Sequence, residues 1–246
     1  MSDHPRSRRG ARGALLALAV SLCGMASGIV RADLLSVSGN GDIISPASGG
    51  ALPNFFQDTG PNPKIHGWDE AEGVVLKNDV YVDINSSGTY NSNSDLAGFR
   101  AAKIAAGTSV DSHLLYFDPK NTASVQNVTF TFSGTILGVI VESDRFYNSA
   151  HGFTDYFLSS DFLRNSATPA ANYPTSHFNN RGLEMGAPHD SLSVSVSGHT
   201  VTIDEFQASS PGDQVRVLTA AVPEPSTFFA FGIPMVLFGL ARWKRR

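Results

Sequence analysis

The strongest constraint on this chain is a two-residue hydrophobic period broken by Ser-Gly steps. Leu192-Ser193-Val194-Ser195-Val196 alternates apolar and small polar residues, Ser197-Gly198 intervenes, and His199-Thr200-Val201-Thr202-Ile203 alternates again. Side chains on an extended strand point to opposite faces in turn, so Leu192, Val194 and Val196 share one face and the serines share the other. One face in a core and one in water is the pattern of antiparallel strands. Val128-Thr129-Phe130-Thr131-Phe132 repeats the device, turns at Ser133-Gly134 and resumes as Thr135-Ile136-Leu137-Gly138-Val139-Ile140-Val141.

Other segments extend the pattern. Asp33 to about Asp69 is rich in Gly, Pro, Ser and Asn, with Leu34-Leu35-Ser36-Val37 reading as an edge strand. Val74-Val75-Leu76 and Val80-Tyr81-Val82-Asp83-Ile84, separated by Lys77-Asn78-Asp79, read as a hairpin. Leu114-Leu115-Tyr116-Phe117 stops at Asp118-Pro119, because proline disfavours regular structure before it. Val215-Arg216-Val217-Leu218 closes the series. Helical period is weak, and Leu96 to Ala106 and Asp155 to Arg164 are the segments expected as short helices. The fold class expected is all-β, an antiparallel two-sheet sandwich or jelly roll. No fixed-period repeat is present, which argues against a propeller or solenoid. Glu142 to Leu183, holding Tyr147, His151, Tyr156, Tyr173 and His177, is the longest irregular stretch and the expected place for a functional surface.

Charge excludes several classes. Only 16% of the 246 residues are charged, too few for a coiled coil or an acidic disordered chain. The formal net charge of -4 hides an asymmetry, since Arg6, Arg8, Arg9, Arg12 and Arg31 lie in residues 1–32 and Arg242, Lys244, Arg245 and Arg246 in the last five. Between Asp33 and Val222 nine basic residues face 20 acidic ones, a net charge of −11. Phosphate backbones require a basic footprint, so nucleic acid is not an expected partner. The single cysteine excludes a disulfide scaffold or a cysteine-rich zinc module.

Both ends read as addresses. A basic stretch from Arg6 to Arg12 precedes an apolar run from Ala14 to about Met25, and Val30-Arg31-Ala32 offers an exit for signal peptidase. These are the three parts of a secretory signal peptide over residues 1–32, with the cut between Ala32 and Asp33 and Gly28 as the alternative. Ser7-Arg8-Arg9 is half of a twin-arginine signal, and Gly10-Ala11-Arg12 lacks its apolar continuation, which points to the general secretory route. Cys23 would suggest a lipoprotein, but Leu22 stands where Gly or Ala is expected.

The other end, residues 222–246, carries Pro223-Glu224-Pro225, an apolar run from Thr227 to Ala241, and the basic residues Arg242, Lys244, Arg245 and Arg246. Fifteen residues at ~1.5 Å each reach about 22 Å, short of a ~30 Å hydrocarbon core. Pro234, Gly232 and Gly239 weaken that helix further, so it suits a transient membrane stop better than a permanent anchor. The tripartite tail resembles the PEP-CTERM sorting signal. The resemblance covers about 25 of 246 residues and implies that exosortase, a membrane-embedded transpeptidase-like enzyme, cuts near Pro223-Glu224-Pro225. It also implies that the body is then released or attached outside the inner membrane of a bacterium that makes exopolysaccharide. Within the body, Ile104-Ala105-Ala106-Gly107-Thr108, Phe117-Asp118-Pro119 and Ile136-Leu137-Gly138-Val139-Ile140 resemble other exported PEP-CTERM proteins of unassigned function.

Chemistry-bearing motifs are sparse. No G-x-S-x-G, H-E-x-x-H, P-loop or G-x-G-x-x-G occurs in the chain. Glu142, Asp144, Glu184, Asp190, Asp204 and Glu205 are available for a glycosidase-like carboxylate pair, and His151 with Asp155 or His189 with Asp190 for a metal or base. The sharpest site reading is a weak calcium loop. Asp83, Asn85 and Ser87 fall at the first, third and fifth positions, with Gly88 at the sixth. Ser94 stands at the twelfth position where a bidentate acid is needed, and the competing reading is a simple turn. No other cofactor is expected.

Two function classes follow. One is a non-enzymatic surface or extracellular-matrix protein, exported, processed by exosortase and associated with exopolysaccharide. The other is a secreted jelly-roll hydrolase acting on the same polymer. An uncut tail would instead leave a protein anchored in the inner membrane.

Overall fold

In the computed structural model, residues 33–44, 58–141, 156–163, 182–183, 185, 190–209 and 212–221 are described. They all lie within one unit, Ala32–Val222. The expected signal peptide, the sorting tail and most of Glu142 to Leu183 fall outside the described residues.

The described chain is mostly β, as the alternation predicts. Twelve strands follow one another: β1 (Leu34–Ser38), β2 (Gly41–Ile43), β3 (Ile65–Val75), β4 (Val80–Tyr81), β5 (Gly88–Tyr90), β6 (Lys103–Ile104), β7 (Ser109–Phe117), β8 (Ala123–Phe132), β9 (Ile136–Ile140), β10 (Ser191–Ser195), β11 (Thr200–Ala208) and β12 (Asp213–Ala220). A four-residue helix, α1 (Tyr156–Ser159), and a 3-10 turn, Asp161–Leu163, precede β10. One five-stranded sheet runs β1-β8-β11-β10-β5, a second runs β2-β3-β7-β12-β9, and β4 pairs with β6. All pairs are antiparallel except β2 with β3.

The first sheet follows its sequence period closely. β10 and β11 form the expected hairpin, Val194 facing Val201 and Ser195 facing Thr200. Leu192, Val194, Val201, Ile203, Val128, Phe130 and Phe132 point into a core shared with Leu115, Phe117, Val215 and Val217 of the second sheet. β1 sits at the edge, as expected.

The second sheet is buried on both faces, which its sequence period conceals. On the face away from the shared core, Trp68, Val110, Leu114, Tyr116 and Leu218 pack under Val80, Val82, Ala102, Ile104, Tyr156, Phe157 and Leu163. Polar side chains are buried in this layer as well. The Arg216 guanidinium donates from Nε to Glu70 Oε2 at 2.7 Å and from the second amino group to Oε1 at 3.0 Å. Its remaining amino group donates to Ser160 Oγ at 2.6 Å and to the Phe157 carbonyl at 3.2 Å. Ser112 Oγ donates to Glu70 Oε2 at 2.8 Å. Glu70, Ser112, Ser160 and Arg216 are all 2% exposed or less.

Three expectations are corrected. Val74–Leu76 and Val80–Ile84 do not form a hairpin: β3 pairs with β7 and β4 with β6. Leu76 instead exchanges backbone hydrogen bonds with Gly107 and Thr108, which leaves the following residues to fold over the outer face. The turn at Ser133-Gly134 carries the chain from one sheet to the other, since β8 pairs with β1 and β11 whereas β9 pairs with β12. A side chain at Gly134 would lie 2.4 Å from the Ala220 carbonyl, so only glycine lets this crossing pass so close to β12. Leu96 to Ala106 is a series of turns entering β6, because Leu96 and Ala102 are anchored to separate cores. The other expected helix, Asp155 to Arg164, is present in short form as α1 and the 3-10 turn.

Removing one partner of a buried ion pair leaves a bare buried charge. Arg216→Met or Glu70→Gln alone is expected to lower the unfolding free energy by about 3–5 kcal/mol. The double variant is expected to recover at least half of that loss, as read by urea denaturation in a double-mutant cycle.

Candidate functional site

The outward face of the first sheet is lined by hydroxyls in register. Ser38 pairs with Thr129, Thr129 with Thr202, Thr202 with Ser193 and Ser193 with Thr89, so one rank crosses all five strands. A second rank runs Ser36, Thr131, Thr200 and Ser195. Neighbours within a rank stand ~4.8 Å apart, and two residues along a strand separate the ranks by about 6.7 Å. Thr129 and Thr202 hydroxyls bond at 2.9 Å, Thr89 and Ser193 at 3.0 Å, and Ser193 Oγ donates to Asp204 Oδ2 at 2.7 Å. Ser36, Ser38 and Thr89 are exposed and the other six partly so. The two ranks thus present short, uncharged donors and acceptors in register, with the Asp204 carboxylate beside Ser193. The alternation of serines made the polarity of this face legible. Its cross-strand register was not, because pairing of β8 with β1 and β11 joins segments far apart in sequence.

At one end of the same two sheets lies a buried chain of polar groups. Asp69 of β3 faces His113 of β7, with Asp69 Oδ1 at 2.5 Å from His113 Nδ1. His113 Nε2 is 3.0 Å from Thr219 Oγ1 of β12. A carboxylate only accepts, so Nδ1 carries a proton, and in the neutral ring Nε2 accepts from the Thr219 hydroxyl. The order carboxylate, imidazole, hydroxyl resembles that of a nucleophilic triad. Thr219 is 0% and His113 1% exposed, with Phe132 against the imidazole at 4.9 Å between ring centroids. A hydroxyl sealed in this way meets no substrate, and the chain acts here as a cross-link between β3, β7 and β12. Asp111, two residues before His113, accepts from Gly73 N at 2.5 Å. Its burial holds that carboxyl above the ordinary aspartate range, with the nearby Asp69 and Asp33 acting in the same sense. Asp69, His113 and Thr219 escaped the sequence reading because 44 and 106 residues separate the partners.

The residues of the expected calcium loop go to separate tasks. Asp83 is 1% exposed, and its Oδ2 accepts from Val141 N at 2.9 Å. Asn85 is exposed, and Ser87 Oγ accepts from Val196 N at 2.9 Å. Tyr90 closes the turn by donating to the Ser86 carbonyl at 2.8 Å. Among the described residues no three His, Cys, Asp or Glu side chains converge as a metal site.

Of the carboxylates expected for a glycosidase-like pair, Asp190 accepts from Gln207 N at 2.8 Å and Glu205 from Gln126 Nε2 at 3.3 Å. Glu142, Asp144, Glu184, His151, Asp155 and His189 lie outside the described residues. So do Tyr147, Tyr173, His177, Ala32, Pro223, Glu224, Pro225, Arg242, Lys244, Arg245 and Arg246. Tyr156, expected in a contact loop, is instead 3% exposed, its hydroxyl accepting from Arg100 N at 2.9 Å. Among the described residues no helix is long and apolar enough to cross a membrane. Comparison with family models, with curated proteins and with solved structures finds no match to this chain.

Thr219→Val strips the donor from a buried imidazole nitrogen. The expected loss is about 1–3 kcal/mol of unfolding free energy, measured by urea denaturation. Thr219→Ser, which restores the hydroxyl, is expected to regain most of it.

Proposed function

We propose that this chain is an exported, non-enzymatic surface or extracellular-matrix protein that associates with exopolysaccharide. In this reading residues 1–32 direct export, exosortase cuts near Pro223-Glu224-Pro225, and a two-sheet sandwich body is left outside the inner membrane. The tail enters the membrane transiently and its basic residues hold it there until the cut. The observation that carries the polysaccharide contact is the pair of hydroxyl ranks on the first sheet. Sugar polymers present closely spaced hydroxyls, and a flat lattice of Ser and Thr groups offers matching donors and acceptors along a repeating chain. The net charge of −11 between Asp33 and Val222 keeps such a body soluble and disfavours phosphate polymers.

The hydrolase reading has one observation behind it, the Asp69–His113–Thr219 order, and the burial of Thr219 counts against it.

Two measurements test the proposal. An internally tagged chain is expressed with and without exosortase, and its mass and location are followed. The expected product is shorter and outside the inner membrane only when exosortase is present, and it is lost when Pro223, Glu224 and Pro225 become alanine. An intact, membrane-bound chain in both strains refutes the sorting route. For the contact face, Thr129→Lys with Thr202→Lys is expected to weaken co-sedimentation with host exopolysaccharide at least ~10-fold, a loss of about 1.4 kcal/mol. Unchanged sedimentation with an unchanged melting temperature would remove this face from the proposal.

A further inference from the structure

The start of β1 is held from both sides. The Asp33 carbonyl accepts from Ser133 N at 3.1 Å, and Leu34 N donates to Asp69 Oδ1 at 3.1 Å. Leu34 itself is 5% exposed, with its side chain in the shared core. The nitrogen of Asp33 is therefore confined to within about 3.8 Å of Leu34 N, next to the Asp69 carboxylate.

Two buried acceptor atoms near the start of β1 have no hydrogen-bond partner. Asp111 is 2% exposed; its Oδ1 is taken by Gly73 N, and its Oδ2 is buried with no hydrogen-bond partner. Ser133 Oγ, on the residue that binds the Asp33 carbonyl, is likewise buried and unpartnered. Asp33 and Asp69 both add repulsion at the Asp111 carboxyl. The His113 ring, which favours the Asp111 carboxylate, is already bonded to Asp69 and Thr219. Among the described residues no Lys or Arg pairs with Asp33, Asp69 or Asp111. A buried carboxylate with one oxygen unpartnered, as at Asp111, costs stability, whereas Asp69 and Asp33 are only partly buried.

We infer that the counter-charge is the chain's own α-ammonium, made when the signal is removed after Ala32. This rests on the export reading above. Hydrolysis of the Ala32–Asp33 peptide bond consumes one water, whose oxygen goes to the Ala32 carboxylate. The freed amine of Asp33 takes up a proton at neutral pH. One amide N–H becomes three N–H donors with a positive charge, and Asp69, Asp111 Oδ2 and Ser133 Oγ are the acceptors that take them. The precursor lacks this interaction, so full stability of the body follows export. That suits a route in which the chain crosses the membrane unfolded.

The test uses the full chain, exported from a bacterial host and purified after processing, with intact mass fixing its first residue. Inserting Gly-Ser between Ala32 and Asp33 moves the ammonium two residues away and leaves every side chain of the body in place. The native chain is expected to begin at Asp33 and to melt about 5 °C above the insertion variant. In an Asp69→Asn/Asp111→Asn background that gap is expected to close to about 1 °C. Equal gaps in both backgrounds, or none in either, overturn the docking. A first residue other than Asp33 overturns the docking, an uncleaved chain overturns the export reading beneath it, and the mass alone separates the two failures. A second readout is independent of the carboxylate variants. The docked amine is expected to acetylate at least ~10-fold more slowly at neutral pH than that of the insertion variant, as a one-unit rise in its pKa requires. Equal rates overturn the proposal.

Discussion

The bidentate pair between Glu70 and Arg216 is the contact on which the layering depends. Both ions are fully enclosed, and every donor of the guanidinium's fork that has been described goes to Glu70, Ser160 or the Phe157 carbonyl. Such a pair adds little net stability over a hydrophobic substitute, yet it tolerates few alternative arrangements. Glu70 lies on β3, Ser112 on β7 and Arg216 on β12, so the network fixes the register of three adjacent strands. Ser160 and Phe157 belong to the segment around α1, which the same guanidinium pins over the sheet. The Arg216 cation also lies 5.7 Å from the Phe157 ring centroid, so the clamp is apolar on one side and ionic on the other.

This clamp divides the labour between the two sheets. Covered on both faces, the centre of the second sheet gives its side-chain positions to packing, with β7 buried from Val110 through Phe117 and β12 from Asp213 through Thr219. The first sheet is packed on one face only, and the other keeps its hydroxyls in water. A ligand surface on a rigid lattice needs strands that do not shift, and strand stiffness here comes from the core behind the face rather than from contacts on it. The short side chains of the ranks also lose little rotamer freedom on contact.

Legibility in the sequence follows the same division. Where one face meets water, period-2 alternation marks the strand, and Leu192 to Ile203 is placed correctly down to its turn. Burial on both faces erases the alternation. The start of β3 is hidden because His66, Asp69 and Glu70 are polar, and the apolar run shows β7 only from Leu114 because Asp111, Ser112 and His113 precede it. Each of those polar residues is paired inside the protein by a partner dozens of residues away. Hydrophobic patterning cannot signal a buried polar group whose partner comes from a distant strand. The Ser133-Gly134 turn misled for a different reason. A two-residue turn between alternating segments looks the same whether the second strand pairs back or crosses to the other sheet, and only the sheet partners of β9 decide it. The candidate sites divide likewise: the chemistry of the hydroxyl face was visible in its residues, whereas the Asp69–His113–Thr219 chain depends wholly on tertiary register.

The same crossing brings both ends of the body together. Ser133 N binds the Asp33 carbonyl, Ala220 N binds the Thr135 carbonyl, and Ala221 N binds the Ser109 carbonyl. Asp33 and Ala221 therefore flank one turn, at the end where Asp111, His113 and Thr219 are buried and Asp69 is partly so. If export and sorting proceed as proposed, both cuts lie just beyond this end, a few residues from the polar cluster. The second hydroxyl rank begins close by, at Ser36 and Thr131, but on the outward face of the sheet, away from the core that Leu34 and Phe132 enter. On that proposal both cuts fall before Leu34 and after Ala221, beyond the ends of β1 and β12, and remove no residue of either rank.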